Sequence, residues 1–109
     1  MNMTEHCIIR KKDGAILARA PADKVYAIEN NWYIHPDYVD QDWFVTSDRI
    51  YDCPIKGSCL WVDIKVGKTF SNNASWIYTK TLPDYDHING WYGFYNEHKH
   101  YSHKECDTA

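Results

Sequence analysis

The chain has 109 residues, 25% of them charged, and a formal net charge of -3 at pH 7. This length predicts one domain with one core. A net-acidic chain without a basic face argues against nucleic acid as a partner, and no apolar run is long enough to cross a bilayer, so we expect no membrane partner either. The N-terminus lacks a basic segment followed by an apolar one, and we therefore expect a cytoplasmic protein.

The first part of the chain predicts short strands separated by turns. Residues 6–10 and 15–19 are strand-like and flank an Asp-Gly turn, which is the pattern of a β-hairpin. A third strand is predicted over 24–29, where apolar residues alternate with charge, and a short extended segment follows at 32–34. Pro36 then favours a single helical turn, because its fixed φ suits the first helical position.

A constrained turn at 53–59 precedes the longest apolar strand. Pro54 fixes its own φ and Gly57 allows a tight turn or a close approach of the backbone, so Lys56 is predicted to project from a rigid corner. A lysine held in this way could bind an anion. The alternative is an ordinary surface lysine on a turn.

The strand predicted over 58–66 has two distinct faces. Leu60, Val62, Ile64 and Val66 alternate with Cys59, Trp61, Asp63 and Lys65. After a loop predicted at 71–73, Trp76 and Tyr78 share one face of the next strand. The tryptophans and tyrosines of this region therefore either line a concave site or fill a core of large rings.

The end of the chain predicts a short helix, a last strand and a tail. Proline near the start and acids in the first turn favour a helix over 83–88, and residues 91–95 are a final aromatic strand. We predict a single β domain over 1–95 and a polar, His-rich C-terminal tail over 96–109. The fold class is mainly β: a small antiparallel domain, β-tent-like or a curled two-sheet, barrel-like arrangement, with one short helix.

Cysteine and histidine spacing predicts no metal and no cofactor. The four cysteines are expected to be reduced in a cytoplasmic protein, and no Cys-x-x-Cys is present to hold structural zinc. A looser set in the predicted tail is interpreted as solvated rather than metal-binding: His98, His100, His103 and Cys106. Cys53 has no nucleophilic motif around it and is interpreted as a buried, inert thiol, although His35 or His87 could approach it in space.

Several ordered motifs together resemble the family catalogued as domain of unknown function 427, whose members are sometimes labelled nucleotidyltransferases. Along the chain these are Glu29, an aromatic-Pro-Val stretch at 33–39, Cys-Pro-x-Lys-Gly at 53–57, Trp-x-Tyr at 76–78, and Ile-x-Gly followed by Phe at 88–94. This chain departs from the family pattern at Arg19, Tyr51, Cys59, Trp61 and Thr81. The resemblance implies a β-tent-like fold, and some β-tent proteins hold a small ligand in an aromatic cage.

The leading hypothesis is a pocket for a small anionic aromatic or nucleotide-like ligand. Its predicted residues are Lys56 at the mouth, Trp61 and Trp76 as walls, and Tyr33, Tyr78 and Glu29 as polar contributors. The alternatives are a nucleotidyltransferase-like enzyme and a protein-interaction module with an exposed aromatic patch. Paired carboxylates beside a Gly-Ser loop would favour the enzyme, but the Asp-x-Asp at 84–86 is better explained as the start of the short helix. Whether the protein is an enzyme is left open.

Overall fold

The computed structural model describes residues 4–107 and consists mainly of antiparallel strands. The strands are β1 Thr4–Arg10, β2 Ile16–Pro21, β3 Val25–Ile28, β4 Asn31–Ile34, β5 Phe44–Cys53, β6 Gly57–Val66, β7 Thr69–Thr81, β8 Tyr92–Tyr95 and β9 Tyr101–Asp107. Short 3-10 helices lie at Ala22–Lys24, Pro36–Tyr38, Gln41–Trp43 and Pro83–Ile88. The predicted hairpin, the helical turn at Pro36 and the short helix over 83–88 are confirmed.

The strands form two sheets. The smaller has the order β2-β1-β9, and the larger has the order β3-β4-β8-β7-β6-β5. Every pairing within them is antiparallel. The mainly β fold class is therefore confirmed, as two sheets with open edges rather than a closed barrel.

The predicted loop at 71–73 is instead part of a strand. β7 runs through it, while its pairing with β6 shifts register between Val62 and Ile64. Asn73 takes a left-handed φ of 58° there, and its N–H donates to the Asp63 carboxylate at 3.0 Å. A β-bulge can include turn-prone residues without ending the strand. The polar residues at 71–73 therefore predicted a loop where the strand in fact continues.

The two faces of the larger sheet have different roles. Val62 and Ile64 of β6 lie in the core between the sheets, together with Ile8 and Leu17 of the smaller sheet. The alternate face of the larger sheet carries a second buried cluster, formed by Tyr33, Cys59, Trp76, Tyr78 and Ile88. The predicted alternation along β6 is confirmed, and it sends Trp61 to this second face.

The prediction of a polar tail from residue 96 onward is wrong for 101–107. These residues form β9, which pairs with β1 from Thr4↔Asp107 to Arg10↔Tyr101. Tyr101 is buried, and its hydroxyl donates to the Ala74 carbonyl at 2.6 Å while accepting from the Tyr95 N–H at 2.9 Å. The smaller sheet therefore needs these residues, because β9 supplies one of its three strands.

The expectation that all four cysteines are reduced is also wrong. Cys7 of β1 and Cys106 of β9 form a disulfide, with 6.4 Å between their Cα atoms, whereas Cys53 and Cys59 are free. A separation of 99 residues conceals this pairing, since only the β1–β9 ladder makes the two cysteines neighbours.

No helix among residues 4–107 is long and apolar enough to span a membrane.

Candidate functional site

A cavity of about 250 Å³ lies on the second face of the larger sheet. Its walls are mostly aromatic, and its lining is Glu29, Asn31, Tyr33, Tyr51, Cys53, Lys56, Cys59, Trp61, Trp76, Tyr78 and Tyr95. All six residues predicted to contact a ligand are in this set. The structure therefore brings them together around one space, although they come from three separate parts of the chain, at 29–33, 56–61 and 76–78.

Strand alternation explains how the aromatic rings reach the same side. Tyr33 on β4 and Trp76 on β7 both pair with Gly93 of β8, and Trp61 on β6 pairs with Trp76. Directly opposed residues in neighbouring strands project from the same face of a sheet. Neighbours of these positions, such as Ile34 and Phe94, point instead into the core between the sheets.

The Trp76 ring is held from several directions. Its Nε1–H donates to the Tyr33 hydroxyl at 3.2 Å, and its ring meets those of Trp61 and Tyr95 edge to face, with centroid separations of 6.2 Å and 4.8 Å. Trp76 is only 4% exposed. These contacts make the back wall of the cavity rigid before any ligand binds.

Gly93 makes room for that ring. A Cβ built on Gly93 would lie 2.2 Å from the Trp76 indole, so any larger residue there must displace the ring. Neither the period of the strand nor the family motif indicated this role, because the contact depends on which strands are neighbours.

We expect Gly93→Ala to cost about 1–3 kcal/mol of folding free energy, as forced overpacking of a core does. Urea unfolding of this variant, of Trp76→Leu and of the double variant would measure the coupling between the two sites. The smaller leucine side chain should relieve most of the clash in the double variant. Strictly additive losses would contradict the proposed contact.

The turn at 53–57 holds Lys56 inside the protein rather than at its surface. The Lys56 side chain is 7% exposed, and its Nζ donates to the Glu29 carboxylate at 2.8 Å. The Leu82 N–H donates to the Lys56 carbonyl at 2.8 Å and fixes the backbone. Burial lowers the pKa of Lys56, but the hydrogen bond and negative charge of Glu29 outweigh it, so the pKa is raised overall and the ammonium stays charged. Lys56 is therefore a buried, paired cation that lines the cavity, and the alternative of an ordinary surface lysine is wrong.

Glu29 reaches Lys56 from the tip of the β3–β4 hairpin. Glu29 and Asn30 both have positive φ, 53° and 65°, which is the geometry of a two-residue type I′ turn. The Glu29 side chain is 58% exposed, so its carboxylate lies at the border between the cavity and solvent. A glutamate in a left-handed conformation is unusual, and such positions are concentrated at functional sites.

The two free thiols of the cavity differ in their surroundings. Burial raises the pKa of Cys59 to about 11, and the nearby Cys53 and Asp52 add to the shift. Burial also acts to raise the pKa of Cys53, but the N–H groups of Ile55 and Lys56, the Lys56 charge and the Tyr78 hydroxyl together lower it. Cys53 is only partly buried, so the interpretation of an inert buried thiol suits Cys59 rather than Cys53.

The lining residues that sequence reasoning missed are Asn31, Tyr51, Cys53, Cys59 and Tyr95. Period-two alternation contained a signal for some of them. Tyr51 and Cys53 are two apart on β5, and Tyr95 lies two beyond Gly93 on β8. Alternation shows which residues share a face of one strand, but it identifies cavity-lining residues only when the order of the neighbouring strands is known.

The histidine-rich set at the end of the chain is divided among different contacts. His103 lies 2.9 Å from His6 between the ring nitrogens and stacks on Trp32 of the larger sheet, with centroids 3.6 Å apart. His98 stacks on Tyr101, and Cys106 is in the disulfide. Among the side chains described for residues 4–106, no three of His, Cys, Asp or Glu come together as metal ligands.

Asp84 and Asp86 lie in the 3-10 helix Pro83–Ile88, as the sequence predicted. The Asp86 carboxylate accepts from the Thr81 hydroxyl at 2.7 Å. Neither aspartate lines the cavity. Their placement supports the interpretation that they are helix-starting residues.

Comparison with known proteins agrees with the motif pattern. A family model described as domain of unknown function (DUF427) matches residues 4–106. No curated protein matches the chain. Because the family match covers nearly the whole chain and includes the turn, strands and rings that form the cavity, this protein is a member of the DUF427 family.

Proposed function

We propose that the protein binds a small ligand that combines a planar ring with an anionic group, as in a nucleobase-like or nucleotide-like metabolite. The observation that carries this proposal is the cavity itself, in which six aromatic rings and one ion pair surround about 250 Å³. Planar rings pack favourably against Trp and Tyr faces and edges. We also propose that the two sheets form a β-tent, with the cavity on its outer aromatic face.

The size of the cavity limits the ligand. Pockets for drug-sized molecules have volumes of about 300–1,000 Å³, and this one is smaller. A single planar ring with short substituents matches the volume of this cavity. The phosphates of a complete nucleotide would extend past Glu29 toward solvent.

The ion pair indicates how an anionic group would be accommodated. The Lys56 ammonium is already bound by the Glu29 carboxylate at 2.8 Å, so an incoming anion must share or replace that contact. Glu29 is the more exposed partner and belongs to a hairpin tip, which makes it the group that can be displaced. In this proposal Glu29 covers Lys56 until an anion takes its place.

The interaction-module alternative gains less support. It needs tryptophans exposed on a flat surface, whereas Trp76 is buried and Trp61 is half-buried in a concave wall. The enzyme alternative based on two metal ions needs paired carboxylates, but within the described part of the chain Glu29 is the one acidic residue lining the cavity. A cytoplasmic location stays a prediction, and the Cys7–Cys106 disulfide bears on it because such bonds are rare in reducing compartments.

The test is a binding screen with nucleobases, nucleosides, nucleotides and aromatic acids, read by tryptophan fluorescence and thermal shift. A ligand at one hundred times its Kd should stabilise the native state by about 2.7 kcal/mol. Glu29→Gln should tighten anionic ligands, because it removes the competing carboxylate. Lys56→Met should weaken them by about 1–3 kcal/mol, the usual value of a charged hydrogen bond.

Lys65→Met is the matched control, since Lys65 is an exposed lysine on β6 outside the cavity. It should leave affinity unchanged. Equal affinity in wild type, Lys56→Met and Glu29→Gln would place the ligand elsewhere. Absence of any binding across the panel would count against the proposed function.

A further inference from the structure

Three buried side chains of the cavity wall can donate hydrogen bonds to a ligand. These are Tyr33, Tyr78 and Lys56, and none of the three residues is more than 5% exposed. A buried donor that lacks an acceptor is costly, because the hydrogen bond it made to water is lost and not replaced. The partners that these donors already have within the protein therefore indicate what a ligand must supply.

The Tyr33 hydroxyl is held as a donor. Its oxygen accepts from the Trp76 Nε1–H at 3.2 Å, and an indole N–H can only donate. Within the described part of the chain, the Tyr33 O–H itself donates to no other group. Burial raises the pKa of Tyr33 although the Trp76 N–H and the Lys56 charge oppose it, so the hydroxyl keeps its proton at neutral pH. Trp76 thus leaves Tyr33 with a free hydrogen and little capacity to accept a second bond.

Lys56 and Tyr78 add donors to the same space. An ammonium has three N–H groups and no acceptor, and the Glu29 carboxylate takes one of them at 2.8 Å. The Tyr78 ring lies 6.2 Å from that of Tyr33 between centroids, and its hydroxyl has the Cys53 thiol, a weak acceptor, beside it. A cavity of about 250 Å³ is small enough for one ligand to contact all three donors.

The stronger acceptors of the cavity lie toward solvent. Glu29 is at the tip of the β3–β4 hairpin with its side chain mostly exposed, and it is the one carboxylate among the described lining residues. Asn31 is half-buried, and its amide can both accept and donate. The cavity therefore has donors at its buried end and a carboxylate at its border, which gives a bound ligand a preferred direction.

We propose that Tyr33, fixed as a donor by Trp76, and Lys56 together select ligands whose buried end carries an oxo or carboxylate oxygen over ligands with an amino group there. This inference rests on the proposed function, because it specifies which ring-bearing ligands the cavity binds. A carbonyl or carboxylate oxygen has two lone pairs and can accept from both donors, whereas an amino group would meet hydrogens that cannot accept from it. A site built to hydrogen-bond one group rejects analogues without that group, since its own buried polar atoms are then left unpaired.

The first test compares compounds that differ at one exocyclic group: hypoxanthine with adenine, the 5′-monophosphates of their nucleosides with each other, and benzoate with aniline. Dissociation constants for wild-type protein would be measured at pH 7 by isothermal titration calorimetry. In the two purine pairs the charge is the same and the shape nearly so, and the comparison therefore isolates the hydrogen bonds. The oxygen-bearing member of each pair should bind about tenfold or more tightly, as loss of a hydrogen bond from a charged or buried donor predicts.

Variants test the roles of Tyr33 and Trp76. Tyr33→Phe should weaken hypoxanthine about tenfold and leave adenine nearly unchanged, because only the oxygen acceptor loses a donor. Trp76→Phe keeps an aromatic wall but removes the N–H, so the Tyr33 oxygen becomes free to accept from an amino group. The preference should then fall because adenine binds more tightly.

Tyr92→Phe is the matched control. Tyr92 is buried in the core between the two sheets and does not line the cavity, so removal of its hydroxyl should leave the preference as in wild type. The ratio of the two dissociation constants within a pair is the readout, because a general loss of packing weakens both members alike. An unchanged ratio in both Tyr33→Phe and Trp76→Phe would overturn the proposal. If Tyr33→Phe proves unfolded by circular dichroism, Trp76→Phe and the wild-type pairs still decide it.

The outcomes separate this inference from the function on which it rests. Equal binding of both members of every pair, or tighter binding of the amino members, would refute the oxygen preference and leave the proposed function standing. Absence of binding by all of these compounds would count against both. A wild-type preference for oxygen that Tyr33→Phe and Trp76→Phe both reduce would support the selection by Tyr33 and Lys56.

Discussion

Gly57→Ala is expected to lower the free energy of unfolding by about 2–6 kcal/mol, combining strain at a left-handed backbone position with overpacking. Gly57 has a φ of +118°, and a Cβ built on it would lie 2.2 Å from the Lys80 carbonyl oxygen and 2.8 Å from the Thr81 Cα. These neighbours are backbone atoms of β7, which cannot rotate away as a side chain can. The close approach of the two strands at this point therefore requires glycine.

Gly67→Ala is the control for that experiment. Gly67 also has a positive φ, +61°, but no atom lies within 4 Å of a Cβ built there. The Gly67→Ala substitution should lower the free energy of unfolding by about 1 kcal/mol, from backbone strain alone. Urea unfolding followed by tryptophan fluorescence measures both variants, and equal losses would show that Gly57 is not a packing position.

Gly57→Ala should also affect the cavity. Gly57 follows Lys56 directly, so a shifted turn would pull the Lys56 ammonium away from the Glu29 carboxylate. Weaker binding of anionic ligands by Gly57→Ala, with Gly67→Ala like wild type, is the expected result.

Reduction of the Cys7–Cys106 disulfide is expected to cost about 2–5 kcal/mol of stability, as the loss of a native disulfide from a small domain usually does. The bond links residues 99 apart, so it restricts almost the whole unfolded chain. It also joins β1 to β9, which makes residues 101–107 part of the domain rather than a tail.

Two measurements check the disulfide. Denatured chain that has not been reduced should contain two reactive thiols, from Cys53 and Cys59, and four after reduction. Reductant should lower the melting temperature of wild type but leave the Cys7→Ser/Cys106→Ser double variant unchanged. Four reactive thiols before reduction would contradict the bond.

Local patterns in the sequence were sufficient for most of the strands and for six of the eleven residues that line the cavity. Alternation placed Trp61 away from the aliphatic face of β6 and Trp76 with Tyr78, since side chains on a strand alternate whatever the strand packs against. Turn chemistry likewise predicted the first hairpin and the helix over 83–88, because those preferences belong to a few adjacent residues. The family motif supplied Glu29, Tyr33 and Lys56 in order.

The tertiary structure alone determined which of these residues meet, and with what charge and exposure. Sequence showed Lys56 and Glu29 separately, but only the folded hairpin tip and turn make them an ion pair, 27 residues apart. Cys7 and Cys106 became partners in the same way, through a ladder between the first and last strands. Such contacts depend on strand order, and composition and local period contain no information about strand order. The aromatic residues could therefore be predicted from the sequence, whereas the lysine–glutamate ion pair and the disulfide could not.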